Sequence, residues 1–169
     1  MKTRLFISTL ALITSFSTSS YSQATATATA TATIVTPITI SKTADMSFGN
    51  IAVQSATGGT VVLAPAGTRT STSGVTLPAT TGTVTAAAFT VNGTGTYTYA
   101  ITLPSTATLT RASGTETMTA SSFTSNPSGT GTLSSGTQNI AVGATLTVAA
   151  AQVAGVYTSG NFSVTVNYN

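Results

Sequence analysis

Residues 96–103 read TYTYAITL and residues 162–168 read FSVTVNY. In the first, Tyr97, Tyr99, Ile101 and Leu103 fall on alternate positions, and in the second Phe162, Val164, Val166 and Tyr168 do the same. Successive side chains of a strand point to opposite faces, so each stretch offers one apolar and one polar face. Both read as strands half-buried against a core. Shorter candidates are MSFGNIAV from Met46, GTVVLA from Gly59, AFTV from Ala88, TQNIAV from Thr137 and TLTVAA from Thr145. Between them lie the turn clusters ATGG, PAGT, VNGTG, SNPSGTG and SSGTQ, rich in the residues that turns require. Strong helix formers are scarce, and Thr and Gly interrupt almost every window. About seven or more short strands at roughly 8–12-residue spacing predict an all-β protein, a single immunoglobulin-like β-sandwich of Greek-key type. A barrel is the rival architecture.

The chain opens MKTR, continues LFISTLALITSF and passes into a Ser-rich patch, the layout of a secretory signal peptide. Its apolar run falls short of the about 20 residues that a membrane-crossing helix needs. No membrane span is expected. Ser20 and Ser22 are small residues where a signal peptidase reads, so residues 1–22 are expected to be removed, or 1–24 in the alternative. The mature protein is then exported to the periplasm, the cell surface or the medium. Without Lys2 and Arg4, the cations Lys42, Arg69 and Arg111 face Asp45 and Glu116, a net charge of +1. Three scattered cations make no patch able to displace counterions from nucleic acid or to hold an anionic membrane. There is no Cys, which excludes a lipid-anchored lipoprotein. A mature chain of about 150 residues buries enough surface to fold without disulfides. With 41% hydrophobic residues in a clear period, one folded domain is expected.

The same composition limits the chemistry. With no His and no Cys, Ser-His-Asp and Cys-His nucleophiles cannot be built, and zinc loses its preferred ligands. Asp45 and Glu116 are the two acidic side chains, and a glycosidase would need both across one bond. Asp45 falls in the turn of KTADM, and Glu116 lies in TETMT beside no other charge. Calcium sites gather several carboxylates. Ser41 and Lys42 are adjacent and point to opposite faces of a strand, and Gly58, Gly59 and the NGTG run from Asn92 lack a phosphate-loop lysine. No enzymatic activity, metal or cofactor is expected. Asn92 and Asn161 stand in glycosylation sequons, which matter only in a eukaryotic host. Tyr97, Tyr99, Tyr157 and Tyr168 are candidates for sugar stacking, with core packing as the alternative.

Residues 24–33 read ATATATATAT. Ala holds the even positions through 32, and Ile34, Ile38 and Ile40 keep the same parity. An extended segment would thus have one apolar face and one Thr face. Pro37 lies on the other parity and has no N–H, which marks an edge, a bulge or a switch between sheets. One reading is a low-complexity linker or ragged first strand. The other is a donor-like strand that pairs with another subunit through Ala28, Ala30, Ala32, Ile34, Ile38 and Ile40. A buried CH₂ contributes ~0.8 kcal/mol, so the isoleucines carry most of that face. Residues 23–36 are accordingly an N-terminal extension and residues 37–169 the sandwich. Outward positions are mostly Thr and Ser, which provide little charge to deter edge pairing. Either the edges are covered or pairing is the function.

The segments ATATIVTPITISKTADMSFGNI, ending at Ile51, GTYTYAITLP from Gly95, and AGVYTSGNFSVTVNYN from Ala154 are similar to a family of secreted bacterial domains known only as a domain of unknown function. More distantly the chain resembles spore-coat-U-like and chaperone–usher pilus subunits. In those subunits the last strand has alternating hydrophobics, a penultimate aromatic and an upstream glycine, and a periplasmic chaperone reads it. Phe162, Val164, Val166, Tyr168 and Gly155 stand at the matching positions. The resemblance also implies an incomplete sandwich whose groove is filled by the extension of the next subunit, a form of strand addition. This chain departs in having no Cys where a disulfide is common, and Ala where bulky plugs are usual. The expectation is an exported, non-enzymatic structural or adhesive subunit, fimbria-like, partnered by another subunit of its type and by a periplasmic chaperone. The alternative is a secreted monomeric module that binds carbohydrate or ice with a Thr/Ser-rich sheet face.

Overall fold

The computed structural model describes residues 21–169. Of the expected export signal, residues 1–20 lie outside the described residues. The chain divides into two units, Met1–Thr33 and Ile34–Asn169. In the first, residues 21–33 have no regular secondary structure and are exposed. The second contains strands and, among the described residues, no helix.

In chain order the strands are β1 (Thr39–Ala44), β2 (Ser47–Phe48), β3 (Ala52–Val53), β4 (Gly59–Leu63), β5 (Arg69–Ser73), β6 (Val75–Thr76), β7 (Val84–Thr85) and β8 (Ala87–Asn92). They continue as β9 (Thr98–Thr102), β10 (Thr106–Arg111), β11 (Thr117–Asn126), β12 (Thr130–Thr132), β13 (Thr137–Val148), β14 (Tyr157–Ser159) and β15 (Thr165–Tyr168). Every pairing is antiparallel. The large sheet has the order β1-β8-β13-β11-β10-β14, with β4 and β5 branching from β13. A small sheet runs β12-β9-β15, and β2-β7 and β3-β6 form two short ladders. The all-β expectation holds, and the layering is consistent with a β-sandwich.

Alternation explains the layers. In β8 Ala87, Phe89 and Val91 point inward, and in β13 Ile140, Val142, Ala144, Leu146 and Val148 do so, with Thr and Asn facing out on most of the alternate positions. The small sheet covers one half of this face. There Tyr99, Leu133, Val164 and Val166 meet Phe89, Val91, Ile140 and Val142 in one core cluster. The two clearest alternating stretches of the sequence are hydrogen-bonded neighbours in this sheet, Val166 opposite Ile101 and Tyr168 opposite Tyr99. Tyr99 is fully buried, whereas Tyr97, just before β9, is exposed. The other half of the large sheet packs Val61, Leu63, Ala144, Leu146 and Val148 against Phe48 and Val75 of the short ladders.

The stretches read separately as TQNIAV and TLTVAA form one strand, β13. Gly143 between them makes no turn; its missing Cβ leaves room for the Leu63 carbonyl that crosses there. The first half of β13 pairs with β8 and the second half with β4, while β11 runs along its opposite edge. In FSVTVNY only Thr165–Tyr168 is ladder-paired, although the burial alternation begins at Phe162. Strands β5, β10, β11 and β14 escaped the sequence reading because half or more of their residues are Thr or Ser, which resemble loop composition.

Candidate assembly groove

On β10, Ala107 and Leu109 alternate with the exposed Thr106, Thr108 and Thr110. On β11, Met118 and Ala120 alternate with Thr117 and Thr119, and Phe123 lies within a register shift between Ser121 and Thr124. These apolar side chains face the inner side of the large sheet, yet Leu109, Met118 and Phe123 remain half-buried. They floor a groove of about 1220 Å³, together with Ala87 and Phe89 of β8 and Leu146 and Val148 of β13. One wall is formed by residues of the Lys42–Val53 segment and the other by residues 152–162. Val153 and Val156 on the second wall are exposed, an unusual position for apolar side chains beside an apolar floor. Among the described residues, β14, on the same wall, pairs with β10 alone, so its other edge carries free backbone groups.

Both walls are braced by polar contacts. Arg69 donates from Nη1 to the carbonyls of Phe48 and of Asn50 (2.8 Å), and from Nη2 to that of Thr81 (3.3 Å). The first wall is thereby tied to the loop before β7. On the second, the Tyr157 hydroxyl donates to the Val153 carbonyl at 2.6 Å and accepts from Gln152 Nε2 at 2.9 Å. Ala112 N donates to the Val156 carbonyl at 2.8 Å. Arg111 Nε lies 2.7 Å from Glu116 Oε2 across the β10–β11 hairpin. That hydrogen bond holds the Glu116 carboxyl below its ordinary value and raises the Arg111 guanidinium above its own. Glu116 has no charged neighbour in sequence, but the hairpin supplies one. Asp45 pairs with Lys42 at 2.6 Å. The two carboxylates thus belong to separate ion pairs, on the ends of strands with β8 and β13 between them. Among the described residues no three His, Cys, Asp or Glu gather to hold a metal.

Gly155 lines the groove at φ 151°, a backbone conformation that L side chains rarely adopt, and a Cβ there would lie 2.9 Å from Arg111 Cδ. Phe162 stands at the groove's other end, its ring centroid 5.3 Å from that of Phe123. Val164 and Val166 are buried in the first core cluster. The Tyr168 hydroxyl accepts from Thr94 N at 2.7 Å and donates to the Thr36 carbonyl at 3.0 Å. Its ring meets Tyr97 edge to face, with centroids 5.7 Å apart. Of the N-terminal face, Ala28, Ala30, Ala32 and Ile34 are exposed, while Ile38 and Ile40 pack on the first cluster of their own chain. The sequence reading missed Leu109, Met118, Phe123 and Arg69. The alternation in TATLTR and TMTASSF was the available signal for the first three, but no local pattern marked Arg69.

Fold and groove together define an antiparallel β-domain with part of its inner sheet face left unlayered. The family model for a domain of unknown function, DUF4402, matches residues 38–168, and the chain belongs to that family. No curated protein and no solved structure matches the chain. Among the described residues no helix is long and apolar enough to cross a membrane.

Proposed function

We propose that the chain is an exported, non-enzymatic structural or adhesive subunit of the cell surface, assembling by β-strand complementation. The observation that supports this is the groove, where Leu109, Met118 and Phe123 of β10 and β11 lie half-buried between two walls. A strand laid there would bury Leu109, Met118 and Phe123 and satisfy the free edge of β14, combining apolar burial with ladder hydrogen bonds. The donor is residues 24–34 of another copy, whose Ala side chains and Ile34 share one face and whose backbone is unpaired. A periplasmic chaperone would guard the same groove before assembly. The test compares mature protein (residues 23–169) with a form starting at Ile34, by negative-stain microscopy and size-exclusion chromatography. Filaments from the first and monomers from the second are expected. Filaments from both would remove the donor role.

A second reading rests on the outer face of the large sheet. Thr72, Thr60, Thr147, Thr119 and Thr108 stand directly opposite one another across five adjacent strands. Such a neutral hydroxyl row suits a monomeric module for carbohydrate or ice. The twist of about 20–25° between neighbouring strands bends the row away from a flat lattice, and among the described residues the exposed aromatics, Tyr21 and Tyr97, lie outside these five strands. Glycan-array binding or thermal hysteresis by the form starting at Ile34 would favour this reading over assembly.

A further inference from the structure

The cations of the folded unit, Lys42, Arg69 and Arg111, stand where a half-buried sheet normally places apolar side chains. Lys42 lies directly opposite Phe89, and Arg69 directly opposite Leu63. Directly paired residues share a sheet face, and Phe89 and Leu63 are buried in the two core clusters. Arg111 keeps the inward parity of Ala107 and Leu109. The outer positions of the same strands carry Thr and Ser, although a charge there would stay in water.

Two of these strands are the long edges. Among the described residues, β1 ends the large sheet with six residues and β5 ends its branch with five. The other strands at sheet ends, β12, β14 and β15, have three, three and four residues and no charge. An edge presents unpaired N–H and C=O groups that can template another chain, and either short length or an inward-pointing charge deters this. The long edges carry a cation each, and the short ones need none.

Arg69 has a second occupation, since its guanidinium reaches the carbonyls of Phe48, Asn50 and Thr81. Lys42 has none that explains its place. Its partner is Asp45, three residues on, and the two side chains are 56% and 81% exposed, so the ion pair adds little to stability. A Val at this position would extend the apolar face of Ile38 and Ile40 and suit a strand better. The ladder also shifts register between Lys42 and Ala44, a bulge that further spoils the edge for pairing. A strand added to β1 would lay its own inner side chains alongside Lys42. The ammonium would then leave water with no acceptor on an apolar face to offset the loss.

We propose that Lys42 guards the β1 edge, closing it to a second copy of this chain. The inference is independent of strand complementation, which uses the groove and the edge of β14.

The experiment uses the form starting at Ile34, which lacks the Ala/Thr repeat and contains both core clusters and the ladders of both sheets. Self-association is measured by analytical ultracentrifugation, with circular dichroism as the check on folding. Lys42→Val is expected to tighten self-association about tenfold. Lys42→Thr adds no large apolar surface and should act in the same direction; it decides the matter if the valine variant does not fold. Lys42→Arg keeps the charge, and Asp45→Asn removes the ion pair but leaves the ammonium, so both should match the parent. Because the chain has no Cys, a single introduced thiol reports the interface. In the Lys42→Val background, Ser41→Cys on β1 should cross-link between copies faster than Thr158→Cys on β14. Neutral variants as monomeric as the parent, an Asp45→Asn variant that associates as they do, or faster cross-linking from position 158 would each overturn the proposal.

Discussion

Tyr99 is fully buried, and its hydroxyl donates to Gln138 Oε1 at 2.7 Å. Tyr99→Phe keeps the packing and leaves that acceptor without its donor, which should cost about 1 kcal/mol in urea unfolding. Burial also pushes the Tyr99 phenol above its ordinary value of 10.0. A group raised on folding contributes stability that is whole below the unfolded pKa and lost as pH rises through the folded one. Unfolding midpoints on either side of about pH 10 should therefore fall less in Tyr99→Phe than in the parent. Glu116 has the opposite sign. Its hydrogen bond from Arg111 holds it below its ordinary 4.5, so its contribution is present above that value and lost as pH falls through the folded pKa. The advantage of the parent over Glu116→Gln, measured as a difference in Tm, should shrink on acidification. Added salt should shrink it too, since the pair is partly exposed.

Among the elements, the β10–β11 hairpin decides whether there is a groove, because its inner-face side chains Leu109, Met118 and Phe123 are left half-buried on the floor. Leu109→Asp places a charge on a half-open floor, so circular dichroism should remain that of a folded β-protein while capture of a synthetic peptide of residues 24–34 is abolished. Gly155→Ala tests the wall. Its φ of 151° and its contact with Arg111 make the substitution strained, at a cost of about 1–3 kcal/mol. Loss of stability no larger than that of an ordinary surface change would show that the wall relaxes freely. The rest of the hairpin reads as loop composition because Thr serves on strands as a β-branched outward residue and in turns as a hydrogen-bonding one. Only ladder partners tell the two uses apart, as Thr108 opposite Thr119 does here.

At the scale of the whole molecule, β13 is the common member of both core clusters, with Ile140 and Val142 in one and Ala144, Leu146 and Val148 in the other. Neither half can lose its layer without exposing the same strand, so urea unfolding of the unit from Ile34 should be a single transition with coincident fluorescence and circular-dichroism midpoints. Two separated transitions would mean that the clusters fold independently. The all-β class was written in the sequence, since side-chain alternation with period two is a local property and is visible wherever apolar residues mark it. TYTYAITL and FSVTVNY were legible for that reason, and so was the Ala/Thr alternation of the extension. The pairing of Tyr168 with Thr36 and Thr94, the partner of Glu116 and the carbonyls that hold Arg69 were not legible. Nor was the gap over Leu109, Met118 and Phe123, because a groove is defined by what does not cover a surface. Each depends on which distant segments the sheets bring together, and that follows from ladder register and layer packing across the whole chain.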